Sequence, residues 1–419
     1  MATTVKDAIK AFETSAECVA ADAEDVRLCP ISLQLPLIAK VDGSLGTLKA
    51  CKHLRLSTNA IDKIPQMEVA DEAEPALFGY IRRSEIGASL PIQSPFGVRP
   101  VLYADHTASG RALSFIEDYV RETVLPSYGN THTSTSKTGR QSSDFVAEAR
   151  ALVRHHTRCT KHDRLLFLGS GATAGALQLV SMLGLTPASA AALEAARALP
   201  EADRPVVFVG PYEHHSNLLP WRESVADVVV IREAPAAGGG GPDLEHLQAE
   251  MARHSHRPLR VGAFSAASNV TGALADVDAV TALCHQHNTL AVWDYASAAS
   301  HGLPDMNPPA RHGRAAASIA KDAAFFSMHK LAGGPQAPGV LVFKADAILG
   351  PKSQRRTRTI APGGGTVFYV SESEHVYVHE DEERLQGGTP PVVGAIRAGL
   401  VLQLHAAVGA AAIAAADAA

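Results

Sequence analysis

The sequence predicts an α/β fold in which a mostly parallel sheet, buried on both faces, is flanked by helices. Three observations carry that prediction. Apolar, β-rich runs recur along the chain, helical patterns separate several of them, and 419 residues suffice for a large α/β domain with smaller attachments.

Residues 1–95 give weak, irregular signals and read as an amino-terminal extension, with a helix expected over 5–21. From Val101 the pattern sharpens into a large α/β domain over 96–391. Strands are expected at 165–168, 206–209, 228–231, 261–264, 290–293, 323–327 and 340–343. Helices are expected at 113–123, 144–155, 172–183, 244–253 and 277–287. Two stretches read as linkers or insertions: the alanine-rich, helical 188–200, and 235–242, whose four glycines are too flexible to pack. Residues 392–419 read as a nearly continuous helix with an apolar repeat through Ile396, Leu400, Leu404 and Val408.

Composition removes several function classes. The chain is 46% hydrophobic and 19% charged with a formal net charge of -5, so no basic excess suggests nucleic acid. No apolar run reaches the ~20 residues a bilayer requires, so no membrane partner is expected. The acidic first 30 residues lack the marks of a presequence or secretory signal, which makes the cytoplasm the expected location. Five scattered cysteines include no CxxC pair, and the histidines lack HExxH spacing, so neither disulfides nor a metal site is expected.

The chemistry-bearing residues stand at predicted strand ends. The run 322–330 carries an apolar strand into Ser327, His329 and Lys330, and glycines then turn the chain. In open α/β sheets ligands bind beyond the carboxyl ends of strands, where this lysine becomes a candidate nucleophilic amine; an ordinary surface lysine is the alternative. The strand Leu-Ala-Val-Trp-Asp294 ends in a carboxylate that either caps a helix or, paired with the lysine, holds a protonated pyridine nitrogen. The strand at 165–168 runs into Gly-Ser-Gly-Ala-Thr at 169–173 and then a helix, whose free amides at Gly171 and Ala172 offer a phosphate cradle. Ser170, Thr173, Ser327 and His329 add side-chain donors. This run lacks the lysine of a nucleoside-triphosphate loop. It imitates a GxGxxA dinucleotide fingerprint, but the acid that should end the next strand falls at Glu194 in the alanine-rich stretch.

Together these pieces resemble the class V aminotransferase group of pyridoxal-phosphate (PLP) enzymes, fold type I, which includes cysteine desulfurases. The resemblance runs from about residue 95 to the end. It rests on Tyr-Ala-Asp-His-Thr-Ala-Ser-Gly at 103–110, Gly-Asn-Thr-His at 129–132, the glycine run at 169–173 and the Glu-His-His segment at 212–221. Further on it rests on Ser-Asn-Val-Thr-Gly at 268–272, Asp294, Ser-Met-His-Lys at 327–330, the glycines at 363–365 and Gly-Gly-Thr-Pro at 387–390. It implies a PLP cofactor, a homodimer, and lyase or transferase chemistry on a small amino acid, desulfurase-like in kind. Residue by residue it makes Lys330 the Schiff-base lysine, Asp294 the partner of the ring nitrogen and His214 the imidazole stacked on the ring. Asn269 approaches the cofactor's phenolic oxygen. Thr173, Ser327 and His329 contact the phosphate, and Thr389 reaches the phosphate in the neighbouring subunit.

Two departures qualify what the resemblance implies. Desulfurases often carry glutamine three residues beyond the aspartate, where this chain has the shorter Ser297. Relatives also continue into a small domain that supplies a carboxylate-binding arginine and a mobile cysteine. After Thr389 this chain has 30 residues, with Arg397 as the sole arginine and no cysteine. The last cysteine, Cys284, is expected to pack against the sheet. Residues 392–419 therefore read as the start of a helix toward a truncated small domain. The alternative function is a PLP-binding protein with impaired or absent catalysis.

Overall fold

Seven strands hydrogen-bond into one sheet: β1 (Asp163–Leu168), β2 (Val206–Val209), β3 (Asp227–Val230), β4 (Arg260–Ser265), β5 (Leu290–Asp294), β6 (Ala323–Ser327) and β7 (Gly339–Lys344). The computed structural model describes residues 76–132, 135–235, 240–350 and 359–418, with four strand segments of two or three residues between positions 3 and 55. The spatial order is β1-β7-β6-β5-β4-β2-β3. Five neighbours from β6 to β3 run parallel, while β7 lies antiparallel to both β6 and β1. The α/β class therefore holds, with one reversed strand making the sheet mixed. Every residue of β2 and β6 is buried, as a sheet covered on both faces requires.

All seven expected strands form, each shifted by no more than its terminal residues. Helices cover them: α1 (Lys137–His156), α2 (Gly171–Met182), α3 (His215–Arg222), α4 (Leu244–Arg253) and α5 (Val277–Gln286). Side chains set several starts. Ser136 accepts from Gly139 N to begin α1, Asp243 from His246 N to begin α4, and Asp276 from Ala279 N to begin α5. The Ser136 cap corrects the expected start of α1 at 144, because Gly139 and Ser142 continue the buried face of Phe145, Ala149 and Val153 toward the amino end. Small buried residues carry little hydrophobic signal, so the first turns read as polar. Gly175 lets α2 lie directly on β6, since a Cβ there would stand 2.7 Å from Cβ of Phe325.

Other expectations shift in detail. The helix expected at 113–123 is α-helical only over Ser114–Tyr119 and then widens to a π-turn over Val120–Val124. Residues 188–200 contain a helix at Ala190–Arg197 with no buried residue, capped by Ser189. The expected helix at 5–21 lies outside the described residues, as does 236–239 of the glycine-rich stretch. The final segment is two helices, α6 (Val392–Val408) and Ala410–Ala418, bent by 73°. Gly409 breaks them with φ +81°, a conformation that glycine adopts without steric cost. In α6 the buried residues include Ala395, Ile396, Arg397, Ala398 and Gly399, whereas Leu400, Leu404 and Val408 are half-buried. Apart from Arg397, Gln403 and His405 the helix is built of apolar and small residues, and its small residues make the close contact: a Cβ on Gly399 would stand 3.0 Å from Cβ of Ala149 on α1. Among the described residues no single helix is long and apolar enough to cross a membrane.

The chain divides into two units. One comprises residues 104–111 and 127–402 and contains the whole sheet. The other comprises 1–103, 112–126 and 403–419. It holds a helix at Ala76–Ser84, whose Tyr80 stacks on Phe115 at 5.3 Å between centroids, and the hairpin Pro91–Ser94 with Gly97–Pro100.

Candidate active site

Because β7 is antiparallel to both β1 and β6, the carboxyl ends of β1, β6, β5, β4 and β2 all meet at one edge of the sheet. A cavity of about 510 Å³ opens there. Its position follows the general rule for ligand sites in α/β sheets. Its size falls within the range of small-molecule pockets.

Lys330 enters the cavity from a single helical turn, Met328–Lys330, that follows β6. Gly110 anchors this turn by donating its N–H to the His329 carbonyl at 2.9 Å, and a Cβ on Gly110 would collide with the Leu331 carbonyl. Asp294 ends β5, pairs in register with Phe325 of β6, and is buried. Its Oδ1 accepts from the N–H of Ala296 at 2.7 Å. Burial pushes the Asp294 carboxyl up to about 6, with Ala296 N–H and the Lys330 cation drawing it back down. Burial pushes the Lys330 ammonium down, opposed by Asp294 and Asp105. The pair is thus an amine whose ammonium burial destabilises, beside a carboxyl that gains most from a cationic partner.

The turn between β1 and α2 supplies the second wall. Ser170, Gly171, Ala172 and Thr173 line the cavity at the start of α2. Ser327 Oγ accepts from Ala172 N at 2.8 Å, and Thr173 Oγ1 donates to Ser216 Oγ at 2.7 Å. Gly171 has φ +59°, and a Cβ there would stand 2.7 Å from Ser327 Oγ. Gly171→Ala is therefore expected to cost about 1–2 kcal/mol, the left-handed penalty for an L-residue, and to displace Ser327. Urea denaturation checks the first effect and ligand titration the second. The strand before this turn is an edge strand antiparallel to its neighbour, and Glu194 lies in the Ala190–Arg197 helix. Neither belongs to a dinucleotide site of the doubly wound kind.

The third wall comes from loops. His214 caps α3, its Nδ1 accepting from Ser216 N at 3.1 Å. Partial desolvation of this largely exposed residue, then the neighbouring Lys330 and His215, hold its imidazole below the usual histidine range, favouring the neutral ring. Asn269 follows β4 and Ser297 follows β5, and both line the cavity. His329 Nδ1 lies 3.2 Å from Ser109 Oγ. Burial and Lys330 lower its pKa as well.

The fold therefore brings Lys330, Asp294, His214, Gly171, Ala172, Thr173, Asn269, Ser297, Ser327 and His329 to one cavity. Thr389 is not among its lining residues; exposed on its loop, it accepts from Asn130 Nδ2 at 3.3 Å. Sequence reasoning missed Ser216, Ser265 and Asp105, which also line the cavity. Ser265 ends an apolar strand as Ser327 does, and that shared position was the available signal. Cys284 is buried on α5 facing β4, where a Cβ on Gly262 would stand 3.0 Å from its Sγ. Burial and the Asp322 carboxylate raise its pKa, so it stays a packed thiol, as its sequence context suggests.

Comparison with known proteins bears on this arrangement. The model of the family described as "Aminotransferase class-V" matches residues 102–419. A probable cysteine desulfurase of Halalkalibacterium halodurans is 24% identical over 315 residues, spanning 74% of this chain and 68% of that protein. A cysteine desulfurase of Escherichia coli is 25% identical over 311 residues, spanning 74% and 68%. Among solved structures, a cysteine desulfurase from Thermococcus onnurineus superposes with a TM-score of 0.57 at 20% identity, covering 74% of this chain and 68% of that one. That likeness concerns the fold. A separate match of 66 residues, 53% identical, is to dynein axonemal light chain 1 of Chlamydomonas reinhardtii and spans 16% of this chain and 32% of that protein.

Proposed function

The chain belongs to the class-V aminotransferase family, and from that membership we propose that it is a PLP-dependent lyase or transferase acting on a small amino acid, desulfurase-like in kind, with Lys330 as the residue that carries the cofactor. The observation that carries the reading is the juxtaposition of Lys330 and Asp294. An amine and a buried carboxyl from the ends of adjacent parallel strands open into one cavity that is also lined by a glycine turn at a helix amino terminus. The side chains fit the cofactor's chemistry, although the amides at Gly171 and Ala172 that the sequence offered are not free: Gly171 N–H donates to the Gly169 carbonyl and Ala172 N–H to Ser327 Oγ. A phosphate suits the hydroxyls of Thr173 and Ser327 and the amino terminus of α2, a cationic ring nitrogen suits Asp294, and an aldehyde suits the amine of Lys330.

When bound, PLP supplies an electron sink for the electron pair left on the substrate's alpha carbon. The protein's part is to hold and orient. Asp294 keeps a positive charge on the ring nitrogen, His214 offers a neutral ring face, and Asn269 and Ser297 present hydrogen-bonding groups. Lys330 would be the amine placed to move a proton at the alpha carbon. Thr389, exposed and outside its own chain's cavity, suits a role at the site of a second copy, which makes a homodimer part of the proposal.

Titration of the purified protein with PLP is expected to give a saturable visible absorption band, and Thr173→Ala combined with Ser327→Ala is expected to weaken it. Loss of two hydrogen bonds to a charged group corresponds to about 10²–10⁴-fold in affinity. A band that never saturates overturns the reading. Turnover of cysteine or alanine by the loaded protein separates a working enzyme from a protein that binds the cofactor without catalysis.

A further inference from the structure

Glu213 stands immediately before His214, and its carboxylate is enclosed by donors from three parts of the fold. Oε1 accepts from the N–H of Gly210 at 3.2 Å and of Ser265 at 2.8 Å. Oε2 accepts from Ser265 Oγ at 2.7 Å and from Asn217 Nδ2 at 2.5 Å. Gly210 follows the end of β2, Ser265 ends β4, and Asn217 lies in α3. The orientation of the Asn217 amide is not free. The residue is fully buried and its Oδ1 accepts from Trp221 Nε1 at 3.1 Å, so its NH₂ must face Glu213. The loop also closes tightly on the carboxylate, since a Cβ on Gly210 would stand 2.6 Å from Oε1.

We propose that Glu213 is a positioning residue for the cavity, locking the turn between β2 and α3 onto the end of β4 and thereby setting where the His214 ring stands. Two features connect this lock to the site. His214 is exposed, and among the described residues its ring nitrogen is hydrogen-bonded only within its own turn, to Ser216, so the ring follows the turn. Ser265 pairs in register with Asp294, so the strand end that Glu213 holds is the one beside the carboxyl of the cavity. Burial pushes the Glu213 carboxyl up to about 7, and hydrogen bonds from Ser265 and Asn217 draw it back toward the ionised form. A neutral amide cannot replace it. The NH₂ of glutamine would face either the NH₂ of Asn217 or the two backbone N–H groups, donor against donor.

The inference rests on the cofactor reading for its ligand measurement, and a second measurement is independent of it. In the full chain, Glu213→Gln is expected to weaken PLP binding about tenfold, as for one lost charge-assisted hydrogen bond. It is also expected to change the rate at which diethyl pyrocarbonate modifies His214, read by peptide mass analysis. Adding Asn217→Asp restores an acceptor opposite the new amide and still accepts from Trp221. The Glu213→Gln/Asn217→Asp protein should therefore recover both measurements. Adding Glu213→Gln to His214→Ala should cost no further PLP affinity. Unchanged His214 reactivity in folded Glu213→Gln, or a double variant no better than the single one, overturns the assignment. If Glu213→Gln alone does not fold, the double variant decides: His214 reactivity like wild type supports the lock, and altered reactivity overturns it. If wild type binds no PLP, the cofactor reading fails while His214 reactivity still decides the role of Glu213.

Discussion

Borohydride treatment of the PLP-loaded protein is expected to leave the pyridoxyl group on Lys330, and Lys330→Ala is expected to lower turnover by about 10²–10⁴-fold, the range for a lost proton-transfer group. Amine reactivity alone does not select this lysine. Lys321 is buried, and desolvation pushes its ammonium down to about 8, opposed by Asp278 and Asp305. Its Nζ, however, donates to the Asp305 carbonyl at 2.7 Å, and it precedes β6 and so lies at the opposite end of that strand from the cavity. Lys344 ends β7 at that same far edge, and its Nζ donates to Asn307 at 2.7 Å and to buried Asp163 at 3.3 Å. Lys330 combines a lowered pKa with a place on the cavity wall. Peptide mass analysis after reduction reads the outcome directly. An adduct on Lys321 or Lys344 would mean that access to the far edge of the sheet, rather than position at the strand ends, governs the chemistry.

The strands of this fold were legible because runs such as Val-Val-Phe-Val at 206–209 are apolar at every position, and only a strand covered on both faces needs that. The direction of β7 was not read, although the chain contained the clue. Only the segment from Met328 to Pro338 separates β6 from β7, which is too short for the crossover of about a dozen residues or more that a parallel pair requires. That reversal matters for the site, because it returns β1 to the direction of β6 and brings the glycine turn to the edge where Lys330 stands. Residues at strand ends, such as Asp294 and Lys330, stood out because a polar group following an apolar run is conspicuous. Glu213 did not. An acid before two histidines in a loop looks exposed, and its four donors come from Gly210, Asn217 and Ser265, which only the folded chain brings together. Gly409 was hidden for a related reason, since one glycine within alanine-rich sequence lowers helix propensity by only about 1 kcal/mol and gives no sign of a 73° bend.

Asp294→Asn is expected to reduce turnover by roughly 10²-fold or more while the chain still binds PLP, because an amide cannot hold the ring nitrogen in its charged form and the electron sink is most valuable in the transition state. The environment of Asp294 sharpens this expectation. Its carboxyl is buried and accepts one hydrogen bond, from Ala296 N–H, so burial raises it to about 6. Below that value the neutral acid predominates and offers no charge to a cationic nitrogen; above it the carboxylate does. PLP affinity in wild type should therefore rise as pH increases through about 6 and then level, and Asp294→Asn should lack that step. The sign for stability is the reverse. A carboxyl raised from its ordinary value of about 3.9 binds its proton more tightly in the folded chain, so without cofactor its contribution falls as pH rises from about 4 to about 6. Asparagine removes the ionisation and with it that loss, so cofactor-free Asp294→Asn should be no less stable than wild type at neutral pH, as measured by urea denaturation. Lower turnover with retained stability and an absent affinity step assigns the carboxylate to the chemistry. Near-normal turnover in a folded Asp294→Asn protein, beside an active wild type, would remove Asp294 from that role.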